Sequence, residues 1–415
     1  MVESIVDAQD GHQVELVRQK TSEKTGYERN IPLNYVIEFL AGLHFITGVL
    51  LPFFLEWGQI RFSQVMILQA MFIGMTFLLE IPTGTIADYL GRKQSIVMGF
   101  FVTVFGALIY SSYPAFWVFA IAECLWATGS ALLSGAHGAM VYDSLIELGR
   151  EKESKKIMGR TRSISLMGIL VAAPIGSVIA KNLGLRYTMM MMAIPMGTAA
   201  VLSLFLKEPK IHSDGERQKY FEIIKNGFNH IRHNREVQIL TADLVVAGVL
   251  SYFVIWTNQQ RLMNIGIPST HLGYINMIWL AVEILISNSF VALEKVFKSK
   301  KAVVFLTSFV TGIGFILMAV TTNISIVVIG VMFAAGFGLG RFILLVNYLN
   351  KHIPSKQRAM IMSTILMFKQ LAHVILNPVV GYLVEWNIVV TLLILGGLMI
   401  VWSFLSPVRE KHLID

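Results

Sequence analysis

The sequence predicts an all-α membrane protein with twelve transmembrane helices in two pseudo-symmetric six-helix bundles. Hydrophobic residues make up 55% of its 415 residues and charged residues only 14%, whereas soluble domains carry about 25% charged residues. Apolar stretches of the roughly 20 residues that a membrane helix needs recur along the chain. Residue patterns that recur between its two halves indicate that each half is one bundle.

The predicted helices follow one another closely, with one longer linker in the middle. Six precede it, at 31–55, 62–83, 95–113, 115–141, 163–181 and 187–206. Six follow it, at 238–260, 270–292, 302–320, 323–348, 358–384 and 388–407. The chain is thereby divided into an N-terminal tail (1–30), a first bundle (31–206), a linker (207–237), a second bundle (238–407) and a C-terminal tail (408–415).

The basic residues predict the orientation in the membrane. With both termini placed in the cytoplasm, 28 Lys and Arg residues fall on the cytoplasmic side, and four fall outside: Arg61, Lys181, Arg186 and Arg261. Cytoplasmic loops carry an excess of Lys and Arg, so we expect a multi-pass protein of the cell membrane with both termini cytoplasmic. Attraction of the cytoplasmic basic residues to the anionic inner leaflet of the lipid bilayer explains the net charge of +8, and no nucleic-acid partner is expected.

Charged residues within the helices predict which helices face lipid. Helices 3, 6, 9 and 12 contain no Asp, Glu, Lys or Arg, whereas helices 1, 2, 4, 7, 8, 10 and 11 each contain at least one. A helix that faces lipid cannot easily hold a charge. Every third helix is therefore expected at the periphery, and the others around a central cavity.

A repeat relates the two halves. Arg160 and Ser165, at the start of helix 5, are matched 198 residues later by Arg358 and Ser363, at the start of helix 11. This pattern is typical of a parallel duplication of six helices.

The linker has a helical pattern of its own. Its apolar residues recur at helical spacing among basic ones: Tyr220, Ile224, Phe228 and Ile231. We expect an amphipathic helix on the inner leaflet of the membrane.

The stretch between helices 2 and 3 reads G-T-I-A-D-Y-L-G-R-K, residues 84–93. An acid, a glycine and two bases between two apolar runs are unusual, because charge at a membrane boundary needs partners. The stretch resembles the loop between helices 2 and 3 of the major facilitator superfamily, in which the matching residues are Gly84, Asp88, Gly91, Arg92 and Lys93. The resemblance implies a secondary transporter with two six-helix bundles.

Within that superfamily the chain resembles prokaryotic drug and tetracycline exporters. Similar segments are V-Y-D-S-L (141–145), R-A-M-I-M-S (358–363) and A-A-P-I-G-S (172–177). The last departs from the antiporter pattern, because Ala173 and Ser177 replace glycines. Helix 4 also lacks the arginine of many proton-coupled exporters and has Glu123 in that region.

The resemblance implies a gate on the cytoplasmic side. Asp88 would lie at the N-terminus of helix 11, where free amides favour an anion, and Arg92 would pair with Asp143. Arg160 and Arg358 belong to the same set of loop charges. The alternative interpretation is that these charges only fix the topology.

Four acids within the helices are candidates for proton coupling: Glu38, Glu283, Glu123 and Asp243. A carboxyl group in a low-dielectric cavity can take up a proton near neutral pH. We favour Glu38 and Glu283, since Glu283 lies near the middle of its helix and Glu38 lies on an inner helix. The alternative for each acid is a structural ion pair, for instance with Lys369 or Arg341.

Other residues are candidates for lining the cavity. Lys369 and Arg341 would either neutralise these acids or hold an anionic substrate. His44 would titrate or would pack through hydrogen bonds. Three tryptophans would line an adaptable apolar cavity: Trp126, Trp256 and Trp279.

These observations predict a monomeric secondary transporter that works by alternating access and exports small amphipathic molecules in exchange for protons. Proton-linked uptake of a nutrient or an organic anion is the alternative. A non-transporting receptor is an alternative of another class, although it would not need both Asp88 and Arg92. The sequence has no phosphate-binding loop, no metal-ligand motif and one cysteine, Cys124, so we expect no enzyme, cofactor or metal.

Overall fold

The computed structural model describes residues 24–209, 220–354 and 357–414, with side chains except at 81, 84–88, 220–224 and 359. In that part of the chain, eleven apolar helical segments are long enough to cross a membrane. The last, Met360–Leu405, has 46 residues, about twice what one crossing needs. Asn387 interrupts it with φ −165° and ψ 108°, which divides it into two helices. The predicted twelve crossings are therefore confirmed.

We number the membrane helices 1 to 12 in chain order. Helix 1 is Lys24–Trp57, broken after residue 42. Helices 2 to 6 are Phe62–Leu90, Arg92–Tyr110, Phe116–Glu147, Ser154–Leu183 and Leu185–Ser203. Helices 7 to 10 are Arg235–Asn264, Leu272–Phe297, Lys300–Val320 and Ile324–His352, and helices 11 and 12 share Arg358–Leu405.

Several helices extend beyond their apolar stretch. Helix 5 begins at Ser154 rather than at the predicted residue 163, and its added turns include the exposed Lys155, Lys156 and Arg160. The length of an apolar stretch predicts only the part of a helix that lies inside the bilayer. The helix itself continues for as long as its backbone hydrogen bonds can form.

Helix 1 is irregular in its second half. Residues 43–46 are not helical, and 3₁₀, α and π turns follow at Thr47–Val49, Leu50–Pro52 and Phe53–Trp57. Pro52 has no N–H to donate to the preceding turn, which disfavours a regular helix there. Before the break, a Cβ on Gly168 of helix 5 would lie 3.0 Å from the Cα of Gly42, so small residues let helices 1 and 5 touch.

The two bundles meet through three sets of helices. Helix 2 packs on helix 11, helix 5 packs on helix 8, and the irregular end of helix 1 packs on helices 7 and 8. Helices 3, 6 and 12 turn large apolar side chains outward: Phe101, Phe105, Ile194, Val201 and Phe404 are exposed. The predicted peripheral position of these three helices agrees with this, since lipid covers such side chains. Helix 9, the fourth helix predicted at the periphery, exposes only Val320 among its large apolar side chains.

Because successive helices run in opposite directions, their ends form two faces. We call the side with residues 24, 90–92, 205–209, 297–300 and 405–414 the termini face. The opposite side, with residues 57–62, 110–116, 183–185, 264–272 and 385–388, is the far face. Exposed aromatic residues flank the far face, among them Trp117 and Trp386, as is typical of a membrane–water interface.

The predicted linker helix is present at Tyr220–His233. Its described apolar side contacts helix 11: the Phe228 ring lies 6.2 Å from the Phe368 ring, and Ile231 is buried. The predicted Tyr220 and Ile224 lie outside the described side chains. The helix is thus held by helix 11 as well as suited to a membrane surface.

Candidate functional site

Two hydrogen bonds join the bundles at the far face. The Ser63 N–H donates to Glu385 Oε1 over 2.8 Å, and the Gly273 N–H donates to Ser177 Oγ over 3.0 Å. Ser63 and Gly273 are the second residues of helices 2 and 8, where backbone amides have no partner within the helix. In each case, the acceptor lies on the partner helix of the other bundle, helix 11 or helix 5.

Close backbone contact accompanies these bonds. A Cβ on Gly381 would lie 2.9 Å from the Ser63 Cα, and a Cβ on Gly273 would collide with the Ala173 carbonyl and the Ser177 hydroxyl. Glycine at these two positions therefore lets the bundles approach at the far face.

Three further hydrogen bonds cross between the bundles at the same level. Gln259 Oε1 accepts from the Leu51 N–H over 3.0 Å, and Gln259 Nε2 donates to the Thr47 carbonyl over 3.2 Å. Nearer the surface, Ser269 Oγ donates to Glu56 Oε2 over 3.0 Å. The bundles are therefore fastened together at the far face.

A cavity of about 160 Å³ lies in the first bundle, towards the far face. Its walls include these residues: His44, Thr47, Leu50, Phe54, Gln69, Phe72, Tyr110, Glu123, Trp126 and Met189. Glu123 is only 5% exposed and accepts a hydrogen bond from Gln69 Nε2 over 3.1 Å. The His44 ring stands edge-on to Trp126 at 6.1 Å. The predicted candidates His44, Glu123 and Trp126 thus lie together in one polar, aromatic cavity.

The second bundle presents a polar stripe on helix 11. Lys369, His373 and Asn377 are four residues apart and share one face of the helix. The His373 ring lies 4.3 Å from the ring of Tyr252 on helix 7. His373 is only 6% exposed, and its Nε2 has no hydrogen-bond partner among the described residues.

The two walls face each other. The side chains of Trp256 and Asn377 lie beside the Tyr252 hydroxyl, and the charge of Glu123 in the first bundle acts on Tyr252. The predicted Trp256 therefore belongs to this region. The Trp279 side chain of helix 8 is buried, and its Nε1 donates to Asn276 Oδ1 of the same helix over 2.6 Å.

A cluster of charges lies on the termini side of the cavity. His137 Nδ1 of helix 4 is 2.6 Å from Glu38 Oε1 of helix 1. The charge of Arg162 on helix 5 acts on Glu38 and also on Glu283 of helix 8, in the other bundle. Arg162 is exposed despite lying between helices, so a cleft between the bundles opens towards the termini face.

Asp243 and Arg341 form an ion pair inside the second bundle, where they are 0% and 1% exposed. Arg341 also donates to the Val304 carbonyl and Thr307 Oγ1. Asp243 Oδ1 accepts from Trp402 Nε1 over 2.9 Å and from Ser406 Oγ over 2.7 Å. The sequence left open whether these two residues form an internal ion pair or serve the cavity, and in the structure they form the ion pair.

The motif between helices 2 and 3 lies at the termini face. Arg92 Nε is 3.6 Å from Asp143 Oδ2, which is the pairing that the resemblance implied, and both residues belong to the first bundle. The N–H groups of Arg92 and Lys93 donate to Glu208 over 2.7 and 2.8 Å. Gly91 has φ +104°, which favours glycine.

The remaining motif residues are placed as follows. Gly84 and Asp88 lie in the last turns of helix 2, and the Asp88 side chain is not among those that the structure describes. Arg160 and Arg358 are exposed near the starts of helices 5 and 11, and Arg358 donates to the Asn350 carbonyl over 3.0 Å.

Sequence reasoning missed several residues of the site. The sequence does contain a pattern that could have identified His373 and Asn377, namely their four-residue spacing from Lys369 on a largely apolar helix. No such pattern identifies Gln69, His137 and Tyr252, because their partners lie on other helices. Among the described residues, no group of three His, Cys, Asp or Glu side chains could hold a metal ion.

Comparisons with known proteins agree with this architecture. The profile of the Major Facilitator Superfamily matches residues 36–375. The glucose/galactose transporter of Brucella abortus biovar 1 is 24% identical over 212 residues, which are 47% of this chain and 50% of that protein. The uncharacterised transporter YxaM of Bacillus subtilis is 24% identical over 224 residues, 52% of this chain and 54% of that protein.

The chain thus spans about half the length of the curated relatives it matches. A crystal structure of a mutant of the nucleoside transporter NupG superposes with a TM-score of 0.76 and 15% identity, covering 92% of this chain and 98% of that one. That likeness shows the same fold.

Proposed function

We propose that the chain, a membrane transporter that belongs to the Major Facilitator Superfamily, takes up a small hydrophilic solute the size of a sugar or nucleoside. Protons would drive this uptake. The solute would occupy the space between the Glu123 wall and the Tyr252 wall. The transporter would act as a monomer in the cell membrane.

One observation carries this proposal: the facing walls expose polar groups of both bundles to one space. Gln69 and Glu123 lie on one side, and Tyr252 and His373 lie on the other. Buried polar groups in proteins nearly always have hydrogen-bond partners, and the His373 Nε2 has none in the described structure. A solute with several hydroxyl groups would supply partners, whereas an apolar drug would leave the walls unsatisfied.

The relatives support this choice over drug export. One is named a glucose/galactose transporter, and one of the structural neighbours is a nucleoside transporter. One residue that departs from the antiporter pattern also has a structural role here, since the Ser177 hydroxyl accepts the hydrogen bond from the Gly273 N–H.

The proton would be carried by the cluster of Glu38, His137, Arg162 and Glu283. It contains two of the predicted coupling acids and links both bundles through Arg162. A proton that neutralises either acid would release Arg162 and so change the attraction between the bundles.

Alternating access would proceed from a state that is fastened at the far face and open at the termini face. With both termini in the cytoplasm, the cleft would open inward. The gate that closes it would consist of the motif and loop residues Gly84, Asp88, Gly91, Arg92, Lys93, Asp143, Arg160 and Arg358. The domain limits at 206–207 and 237–238 would separate the bundles that rock about the cavity.

Counterflow in proteoliposomes tests the proposal. Vesicles preloaded with glucose, galactose or uridine should accumulate the same labelled compound in at least one case. Gln69→Leu should weaken this accumulation roughly tenfold, because it removes a donor that the cavity uses. Gln260→Leu is the matched control, since Gln260 lies on helix 7 and donates to Asn264 of the same helix.

Ligand binding without counterflow would instead favour a receptor. Accumulation driven by a cationic amphipathic drug, with no response to the sugars or uridine, would overturn the uptake proposal in favour of drug exchange.

A further inference from the structure

Lys369 lies inside the second bundle at the cleft. Its Nζ is 4.9 Å from the centre of the Phe342 ring on helix 10. It also lies 3.8 Å from the position that a Cβ on Gly248 of helix 7 would take. The amine therefore packs beside Gly248 of helix 7.

No acid forms an ion pair with this amine in the described structure. Glu38 contacts His137 and Glu123 contacts Gln69, while the charge of Arg162 influences Glu283. Asp243 pairs with Arg341. The cation–π contact with Phe342 is weaker than an ion pair, so a charged Lys369 that is only partly exposed would be stabilised by an anion.

His373 lies one turn further along the same face of helix 11, and the charge of Lys369 acts on it. Its ring packs on Tyr252, and its buried Nε2 has no partner among the described residues. A group that accepts hydrogen bonds from both side chains would satisfy the orphan nitrogen and the amine together.

We propose that Lys369 and His373 hold a carboxylate of the transported solute, which is then a sugar acid rather than a neutral sugar. This rests on the proposed function and deepens it. The hydroxyl groups of the solute would meet Gln69, Glu123 and Tyr252, so the two bundles would bind opposite ends of one molecule. Arg341, the other buried cation considered for this role, is already neutralised by Asp243.

Glu80 of helix 2 offers a rival explanation. The contacts of Ser63 with Glu385 and of Gly74 with Val374 fix the antiparallel register of helices 2 and 11. That register brings Glu80 level with Phe368, next to Lys369. If Lys369 served only to pair with Glu80 when the termini face closes, it would have no part in binding.

Thermal unfolding of the full-length protein with matched ligands tests the proposal. Glucuronate should raise the melting temperature at millimolar concentration, because a ligand that binds the folded state stabilises it. Glucuronamide, which has the same ring without the charge, and glucose should raise it less. Dialanine shows whether the site selects any carboxylate or a sugar acid. Lys369→Met should weaken glucuronate binding roughly tenfold to a hundredfold and abolish the preference for glucuronate over glucuronamide, whereas Lys369→Arg should retain part of that preference.

Equal shifts with glucuronate and glucuronamide in the unmodified protein would overturn the proposal and leave the transport of neutral sugars standing. Restored glucose counterflow in the exchange variant Glu80→Lys/Lys369→Glu, after loss in each single variant, would assign Lys369 to the rival ion pair. If no sugar, sugar acid or nucleoside shifts melting or shows counterflow, the proposed function itself fails.

Discussion

The backbone N–H of Ser63 donates a 2.8 Å hydrogen bond to the Glu385 carboxylate, which joins the first turn of helix 2 to the last part of helix 11. The bond places an acid at a helix N-terminus, where unpaired amides and the helix dipole both favour negative charge. The Gly273–Ser177 bond repeats it between helices 8 and 5. The far face is thus fastened twice by pseudo-equivalent contacts.

We expect Glu385→Ala to favour opening of the far face. A hydrogen bond to a charged group contributes roughly 1.5–3 kcal/mol, so labelling of a cavity cysteine from the far side should accelerate about tenfold. The measurement uses Leu50→Cys in a Cys124→Ser background with a membrane-impermeant maleimide.

Glu56→Ala is the matched control, because Glu56 also accepts across the bundles but is exposed. Its effect should be small, since exposed polar contacts contribute little. Equal labelling rates for Glu385→Ala and the unmodified protein would show that this bond does not hold the face shut.

Removing one partner of the Asp243–Arg341 pair should destabilise the second bundle. Asp243→Ala leaves a buried guanidinium without its counter-charge, which costs about 3–5 kcal/mol. The free energy of unfolding in detergent should fall by that amount. The double variant Asp243→Leu/Arg341→Met should recover most of it, and a double variant as unstable as the single one would contradict this account.

Proton coupling should separate from solute exchange at the charge cluster. Glu38→Gln and Glu283→Gln remove the groups proposed to bind the proton, so uptake driven by a pH gradient should fall at least about tenfold. Counterflow needs no net proton movement and should persist in the same vesicles. Gradient-driven uptake that is unchanged in both variants would exclude this pair of acids.

Arg92→Ala should reduce transport while the protein still inserts and folds. It removes the ion pair with Asp143, in which both side chains are about one-fifth exposed. Arg150→Ala serves as the control, because Arg150 pairs with Glu153 at the same face but in open solvent. Initial rates of counterflow should fall several-fold for Arg92→Ala only, and equal rates in the two variants would refute a gating role.

The C-terminal tail should detach in acid. Burial acts to raise the pKa of Glu410, but the N–H groups of Lys301 and Lys300 and the Ser299 hydroxyl outweigh it and hold that pKa below its ordinary value. A lowered pKa in the docked state means that docking is favoured above the ordinary pKa and is lost as pH falls through the lowered one. Hydrogen exchange of the Lys300 and Lys301 amides should therefore rise below about pH 4, and Glu410→Ala should exchange rapidly at every pH.

The number and order of the helices could be predicted from the sequence because a bilayer sets the length of an apolar segment. The same reasoning placed the start of helix 5 too late, because apolar length does not reveal helical turns that extend beyond the bilayer into water. Asn387 has a structural role that the apolar pattern did not predict. It caps helix 12 by accepting from the Val389 and Val390 N–H groups.

The candidate site could be predicted only in part. Asp243, Arg341 and Lys369 are alike in sequence, each a charge in an apolar helix, and only the packing of helices shows that the first two neutralise each other. Tyr252 and Gln69 can be recognised as residues of the candidate site only from the residues of other helices that face them. Such pairings depend on how the two bundles meet, which local patterns do not encode.

The direct junction of helices 11 and 12 at Asn387 has a practical consequence. Because no connecting loop separates these helices, an epitope tag or protease site inserted there would split a continuous element beside Glu385. The connection at residues 111–115 between helices 3 and 4 is the better position for such an insertion.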